Sequence, residues 1–354
     1  AIMRIKDYIR AGDTYQVNYT LRLRAERTGD PAALFARMVA AQDAPYGAML
    51  CTDEWTICSA SPELFLRLDG DQIISRPMKG TAARGLSAAQ DQRQAIALCK
   101  DPKSQAENVM IVDMVRNDLG RIAVPGSVRA SPLFAAERYP TLWQMTSTVR
   151  ARTTAGLAEI FKATFPPASI TGAPKARTMA IIAELEGVPR RIYTGAIGFI
   201  APGRQAQFNV AIRTVLIERR TGCAEYGVGG GIVWDSDAGS EAAEWRTKAL
   251  ILDRVPEPFE LLETMLWEPV EGYRLIDRHI ARLTESARYF GFRINPARVR
   301  NMLTKLAAGF RPESMRVRLT MCRSGKVQFE AKPFEAVGGG EPSRITLALE
   351  PVDA

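Results

Sequence analysis

The residues best placed to do chemistry lie in the stretch Ser75-Arg76-Pro77-Met78-Lys79-Gly80-Thr81-Ala82-Ala83-Arg84-Gly85. One lysine stands there between two arginines, and the glycines at 80 and 85 let the backbone approach a ligand closely. Two readings are open: a solvated basic loop, or an anionic substrate held beside a nucleophilic amine. Other stretches offer partners for the second. Glu107 shares a helical stretch with apolar residues over 106–113. Glu241, Glu244 and Lys248 fall on one helical face by i+3 and i+4 spacing. Such carboxylates are either a solvated face or, if buried with Glu107, a site that needs a cation. Hard oxygen donors suit Mg²⁺, which keeps waters and accepts substrate oxygens. Ser169-Ile170-Thr171-Gly172-Ala173-Pro174-Lys175 is an ordinary helix cap or an anion site built on free N–H groups. The glycines of Tyr226-Gly227-Val228-Gly229-Gly230-Gly231 form a tight turn or offer backbone amides to a carboxylate.

The elements that must position these groups follow from periodicity. Residues 1–11 read as a helix. Tyr15, Val17, Tyr19, Leu21 and Leu23 alternate with Gln16, Asn18, Thr20, Arg22 and Arg24, which predicts a half-buried strand. Asp30-Pro31 opens a helix that runs to Gln42. Strands are expected at 46–51, 54–60, 63–68 and 72–76, and the Lys79 stretch follows them. Helices are expected at 88–99 and 104–116, then short strands within 126–151, and helices at 156–164 and 174–186. Strands at 193–200, 205–219 and 222–228, the glycine turn and a helix over 241–252 complete this part. Without regular βαβ alternation the class is α+β.

Pro256-Glu257-Pro258 reads as a linker between a domain at 1–255 and a smaller unit at 259–354. In the smaller unit a strand is expected near 259–267, helices at 277–290 and 296–308, and strands at 315–322 and 326–333. Gly338-Gly339-Gly340 reads as a loop and 344–349 as a strand. His279, the only histidine, has an ordinary structural reading on its helix.

Bulk properties narrow the class. The 354 residues carry a net charge of +8, with 46% hydrophobic and 24% charged residues. The arginines are scattered singly rather than interleaved with aromatics, which favours anionic metabolites over nucleic acid. Five cysteines without a CxxC pair point to free thiols in a reducing cytoplasm. No run of about 18 apolar residues is present, so no membrane span is expected. The start, Ala1-Ile2-Met3-Arg4-Ile5-Lys6, reads as a helix already inside a domain rather than a signal peptide.

Together these stretches resemble the chorismate-utilising enzymes, a family that includes anthranilate, aminodeoxychorismate, isochorismate and salicylate synthases. The matching segments are Gly12-Asp13-Thr14-Tyr15-Gln16-Val17-Asn18, Ser61-Pro62-Glu63, Lys79-Gly80-Thr81, and 107–113 with Arg116-Asn117-Asp118-Leu119-Gly120-Arg121. Then come 169–175, Ala211-Ile212-Arg213-Thr214, the glycine run, and Asp235-Ser236-Asp237 with 241–248. They cover about residues 1–252 in the family's order.

The resemblance implies a four-layer α/β/β/α sandwich. It implies that Glu107 and Glu244, with Glu241 beside them, hold Mg²⁺ against the ring carboxylate of chorismate. It assigns Tyr193, Arg213 and the amide of Gly229 to the enolpyruvyl carboxylate, and Ser169 and Lys248 to the substrate's anionic end. Isochorismate and salicylate synthases carry a water-activating lysine where this chain has Gln16, which takes no proton at neutral pH. Anthranilate synthases carry alanine where this chain has Lys79. The branch implied is therefore aminodeoxychorismate synthase component I, with Lys79 as covalent nucleophile and Glu63 as general acid. Its ammonia comes from a glutamine amidotransferase, and its product leads to 4-aminobenzoate and folate. Anthranilate synthase component I is the alternative. A catalytically silent binding module is the alternative from another class.

One departure stands out: many family members have a His-Leu pair where this chain has Trp143-Gln144. The segments Phe259-Glu260-Leu261-Leu262-Glu263-Thr264-Met265 and Leu275-Ile276-Asp277-Arg278-His279-Ile280-Ala281-Arg282-Leu283, followed by 286–292, resemble the small domain of class IV pyridoxal-phosphate enzymes, which include aminodeoxychorismate lyase. Arg282 matches the arginine that binds the cofactor phosphate, and the Schiff-base lysine is expected beyond Ala354. The synthase part is likewise expected to begin before residue 1.

Overall fold

The structure, a computed structural model, describes residues 1–26, 29–253 and 258–334. The chain divides into two units, Ala1–Glu257 and Pro258–Ala354. Most of the expected linker, the Gly338–340 loop and the strand at 344–349 lie outside the described residues.

The first unit is α+β and holds two six-stranded antiparallel sheets. One runs Gly172–Ala173, Gln16–Ala25, Ala224–Ile232, Thr214–Glu218, Trp55–Ser61 and Tyr46–Cys51. The other runs Ala196–Ala201, Gln205–Val210, Leu64–Asp69, Gln72–Arg76, Val149–Arg152 and Arg129–Ala130. Helices cover each sheet, which makes the four-layer α/β/β/α sandwich. Helix Pro31–Gln42 packs Leu34 and Met38 onto Cys58, Val215 and Ile217 of the first sheet. Its start is fixed locally, because the Asp30 side chain accepts from the amides of Ala32 at 3.0 Å and Ala33 at 3.2 Å. Helix Lys175–Glu186 adds Ile181 and Ile182 against Val17 and Ile232. Helices Pro102–Gly120 and Leu157–Thr164 bring Ile111, Val115, Leu119 and Ile160 onto Phe65, Leu66 and Ile73 of the second sheet.

Three expectations are corrected here. The stretch 205–219 is not one strand: Gln205–Val210 belongs to the second sheet and Thr214–Glu218 to the first. The chain crosses between sheets at residues 211–213, where Arg213 adopts a left-handed φ of 52°. The glycine run is not a turn either. It lies inside the single strand Ala224–Ile232, paired along its length with Gln16–Ala25. Glycine is required there by close approach: a Cβ on Gly227 would meet the Tyr193 ring at 2.2 Å, and one on Gly229 the Tyr19 carbonyl at 2.4 Å. Finally, Lys79 sits on a strand, Met78–Ala83, in a three-stranded sheet with Leu142–Thr146 and Ala135–Arg138. The pairing slips between Met78 and Thr81, and Gly80 takes φ +90°.

The second unit pairs Gly272–Tyr273, Leu261–Glu268, Met315–Met321 and Val327–Pro333 in one antiparallel sheet. Helices Ile276–Phe290 and Pro296–Ala307 cover it, closing a core of Met265, Leu283, Leu303, Val317 and Leu319. Among the described residues no helix is long and apolar enough to cross a membrane.

Candidate active site

The crossing, the glycine strand and the Lys79 strand meet at a cleft of about 390 Å³. Ten of the residues singled out above line it: Glu63, Lys79, Glu107, Ser169, Tyr193, Arg213, Gly229, Glu241, Glu244 and Lys248. Gln16 does not. It is 1% exposed and lies behind Gly231, and neither its Oε1 nor its Nε2 finds a hydrogen-bond partner. A Cβ added to Gly231 would stand 2.8 Å from both Gln16 Nε2 and Lys79 Nζ. That glycine is therefore what lets the buried amide and the lysine amine share one corner.

Each side of the cleft has a local cause. Helix Pro102–Gly120 brings Glu107 to the cleft and packs Ser104 over Gly80, where an added Cβ would approach Ser104 Cβ to 2.9 Å. On the same helix Asn108 Nδ2 donates to the Lys79 carbonyl at 3.4 Å, and Asn108 Oδ1 accepts from Ser147 Oγ at 2.5 Å. On helix Ala238–Ala249, Lys248 Nζ reaches Glu244 Oε1 at 2.5 Å and donates to the Gly229 carbonyl at 2.8 Å. The carbonyl of Lys248 in turn accepts from Arg213 Nη1 at 2.7 Å and the Tyr226 hydroxyl at 3.0 Å.

The electrostatics separate the carboxyls. Glu63 is buried, and burial lifts its carboxyl to about 7 despite the Ser169 hydrogen bond and the Lys79 charge. Burial also raises Glu241, although Ser236 Oγ donates to its Oε1 at 2.7 Å. Burial pushes Glu244 the same way, but Lys248 overcomes it and holds Glu244 below the usual range. Lys248 itself is lowered, by burial first.

Sequence reasoning matched the segment Asp235-Ser236-Asp237 but gave Ser236 no role; it precedes Asp237, which caps the helix carrying Glu241 by accepting from the Ser240 amide at 2.9 Å. The pair Trp143-Gln144, which stands where many family members have His-Leu, divides its roles in the fold. Trp143 Nε1 turns to Asp91 Oδ1 at 2.9 Å, whereas Gln144 lines the cleft and donates to the Gly80 carbonyl at 2.8 Å.

As a metal site the donor set is hard and anionic, which suits Mg²⁺. Among the described residues no group of three or more acidic, histidine or cysteine side chains is placed to hold a metal ion, so Glu107, Glu241 and Glu244 line the cleft without forming one ligand cluster. Mg²⁺ can bind through one or two carboxylates and complete its shell with water and substrate oxygens. In the second unit Arg282 Nε donates to Glu263 Oε1 at 2.7 Å and Arg282 Nη2 to Glu263 Oε2. The same Oε2 contacts His279 Nδ1 at 2.7 Å. The Arg282 side chain stays 65% exposed, so it keeps donors open for a phosphate. His279 thus has a structural partner.

The α+β sandwich gathers a buried acid, a lysine amine, further carboxylates and an arginine around one cleft. The chain belongs to the chorismate binding enzymes, whose family model matches residues 1–253. The amino-transferase class IV model matches residues 260–337.

Aminodeoxychorismate synthase component 1 of Klebsiella aerogenes is 42% identical over 245 residues, which cover 69% of this chain and 53% of that protein. The protein of the same name from Salmonella typhimurium is 39% identical over 259 residues, covering 73% and 56%. The chain thus spans about half the length of these curated relatives. Among solved structures, anthranilate synthase component I from Streptococcus pneumoniae superposes with a TM-score of 0.65 at 31% identity, over 72% of this chain and 56% of that one.

Proposed function

We propose that the protein aminates chorismate to 4-amino-4-deoxychorismate, using ammonia from a glutamine amidotransferase subunit, on the way to 4-aminobenzoate and folate. The observation that carries this reading is the Lys79 amine in an acid- and arginine-lined cleft beside the buried Glu63. The neutral amine attacks C2 of chorismate, and the C4 hydroxyl departs with the proton of Glu63. Ammonia then adds at C4 and displaces Lys79, so two displacements replace one harder step. A carboxyl near 7 carries its proton in about half the molecules at neutral pH, as a general acid needs.

Arg213, with Tyr193 and the Gly229 amide, is assigned to the enolpyruvyl carboxylate, where a guanidinium makes charge-assisted hydrogen bonds. Ser169 and Lys248 support the anionic end, and Gln16 backs the Lys79 corner. Glu107, Glu241 and Glu244 are assigned to Mg²⁺, which when bound neutralises the ring carboxylate and assists loss of the hydroxyl. Pyridoxal phosphate belongs to this proposal only for a complete C-terminal domain, with Arg282 at its phosphate. Five free cysteines support a cytoplasmic location.

The test is to supply chorismate, Mg²⁺ and ammonium and identify the product by mass and fluorescence. Anthranilate as product would sink the reading in favour of anthranilate synthase component I, which the likeness to the Streptococcus pneumoniae enzyme favours. A covalent substrate adduct that is present in the native protein and absent in Lys79→Ala supports the proposed step.

A further inference from the structure

A second cavity, of about 20 Å³, shares Glu63 and Ser169 with the cleft and is otherwise separate from it. Every residue of its wall is buried. The space holds one water-sized molecule. Most of the wall is apolar, including Phe65, Leu66, Val115 and Leu119, but Asp118 contributes to it and is only 7% exposed. Lys175 Nζ donates to Asp118 Oδ2 at 2.6 Å and to the Thr164 carbonyl at 3.1 Å. The Lys175 side chain is 18% exposed, so this ion pair links the cavity to the surface. No step of the proposed reaction uses Asp118.

We propose that this cavity binds one water molecule, which bridges Glu63 to Asp118 and returns a proton to Glu63 from the Asp118–Lys175 pair after each turnover. The inference rests on Glu63 being the general acid. Each turnover leaves Glu63 as a carboxylate, because its proton departs with the C4 oxygen as water. With substrate or product filling the cleft, the front face of Glu63 is closed to solvent. The Lys175 ammonium passes a proton to the Asp118 carboxylate, Asp118 passes it to the rear water, and that water gives one to Glu63. The Lys175 amine then takes a proton from solvent. One O–H bond forms at Glu63 for each that breaks, and one proton enters from bulk water.

The charged groups facing this path are Lys79 at Glu63, and Lys175 and Arg121 at Asp118. Burial raises both carboxyls, Glu63 to about 7, against Lys79 at Glu63 and Lys175 at Asp118.

Three measurements decide it. A crystal structure of the native protein should show a water within hydrogen-bond distance of Glu63 and Asp118, and a dry cavity overturns the proposal. In chorismate-free protein the infrared carboxyl band of Glu63, assigned by its loss in Glu63→Gln, should move to higher frequency in Val115→Ile, whose added methylene fills the cavity. An unmoved band in folded Val115→Ile overturns the proposal. With chorismate, Mg²⁺ and ammonium, Asp118→Asn should lower kcat severalfold with KM unchanged and enlarge the solvent deuterium isotope effect. A fall in kcat without a change in the isotope effect assigns Asp118 to structure alone and overturns the relay. The first two measurements need no turnover, so a native protein that makes no aminated product refutes the proposed function while leaving the bound water to be judged by itself.

Discussion

Glu63→Gln offers the most direct measurement of what burial does at this site. The Glu63 carboxyl is 4% exposed and is lifted from 4.5 to about 7, by burial first, against the opposing Ser169, Lys79 and Met78 interactions. Below pH 4.5 the folded and unfolded chains both carry the proton, and Glu63 adds no slope to stability. As pH rises from 4.5 toward about 7, the unfolded chain loses the proton while the folded chain keeps it, so stability falls. Above about 7 the loss is complete. At about 1.4 kcal/mol per pH unit, the gap corresponds to about 3 kcal/mol of stability missing on the alkaline side. Glutamine keeps the shape and never ionises. Denaturant unfolding of both proteins between about pH 4 and about pH 8.5 should therefore show Glu63→Gln gaining on the native protein by about 3 kcal/mol across the range. Its synthase activity should fall by about 10²-fold or more, and the native activity should decline as pH rises through about 7. A stability difference that is flat with pH would refute the reasoning, because it would mean that Glu63 is ionised in the folded cleft.

Three other changes test other walls of the cleft and the second unit. Gly231→Ala places a Cβ 2.8 Å from Gln16 Nε2 and Lys79 Nζ; it should cost about 1–3 kcal/mol by denaturation and reduce formation of the Lys79 adduct by mass spectrometry. Ser236→Ala removes the 2.7 Å hydrogen bond to Glu241 Oε1, which should cost about 1 kcal/mol and weaken Mg²⁺ binding in calorimetric titration, with kcat at saturating Mg²⁺ little changed. Glu263→Gln, in the full chain, strips Arg282 and His279 of their shared carboxylate; burial opposes that carboxylate's ionisation, but Arg282 and His279 hold it below the usual range. Stability of the second unit should fall by about 1 kcal/mol, and the difference should shrink as acid protonates Glu263.

Local periodicity made most elements legible. Alternation from Tyr15 to Arg24 gives the strand Gln16–Ala25, and Asp30-Pro31 gives a helix start with its cap in place. The i+3 and i+4 spacing of Glu241, Glu244 and Lys248 was enough to put all three on one cleft wall. What periodicity does not carry is sheet membership. A strand satisfies the same alternation in either sheet, so the crossing at Ala211-Ile212-Arg213, which contains neither glycine nor proline, left no mark of the break in 205–219. The glycine run failed in the opposite way. Glycine marks a turn by its freedom of φ, but here it marks missing volume, because Tyr193, Tyr19, Gln16 and Lys79 occupy the space that side chains would need. Only tertiary neighbours distinguish these causes.

The same distinction supports the proposal of one lysine among three nearby cations as the nucleophile. In sequence, Arg76, Lys79 and Arg84 look like one basic patch. In the fold, Arg76 Nη1 meets Glu137 Oε1 at 3.0 Å and its Nη2 donates to the Tyr46 hydroxyl at 2.8 Å. Arg84 spans Asp91 with contacts of 2.6 and 2.8 Å, and Asp91 also accepts from Trp143. Both arginines are thus neutralised in place and hold the three-stranded sheet to its surroundings. Among the described residues Lys79 alone of the three has no carboxylate within ion-pair distance. The strand slip at Met78–Thr81 and the open φ of Gly80 bring its backbone against Asn108, and the bare Cα of Gly231 leaves its amine room beside Gln16. A basic stretch becomes a nucleophile's seat when its neighbours spend their charges on structure and it does not. If Asp91→Asn released Arg84 into the cleft, the Lys79 adduct should form more slowly while chorismate binds more tightly, and unchanged adduct kinetics in a folded Asp91→Asn protein would break this link between the ion pairs and the lysine's role.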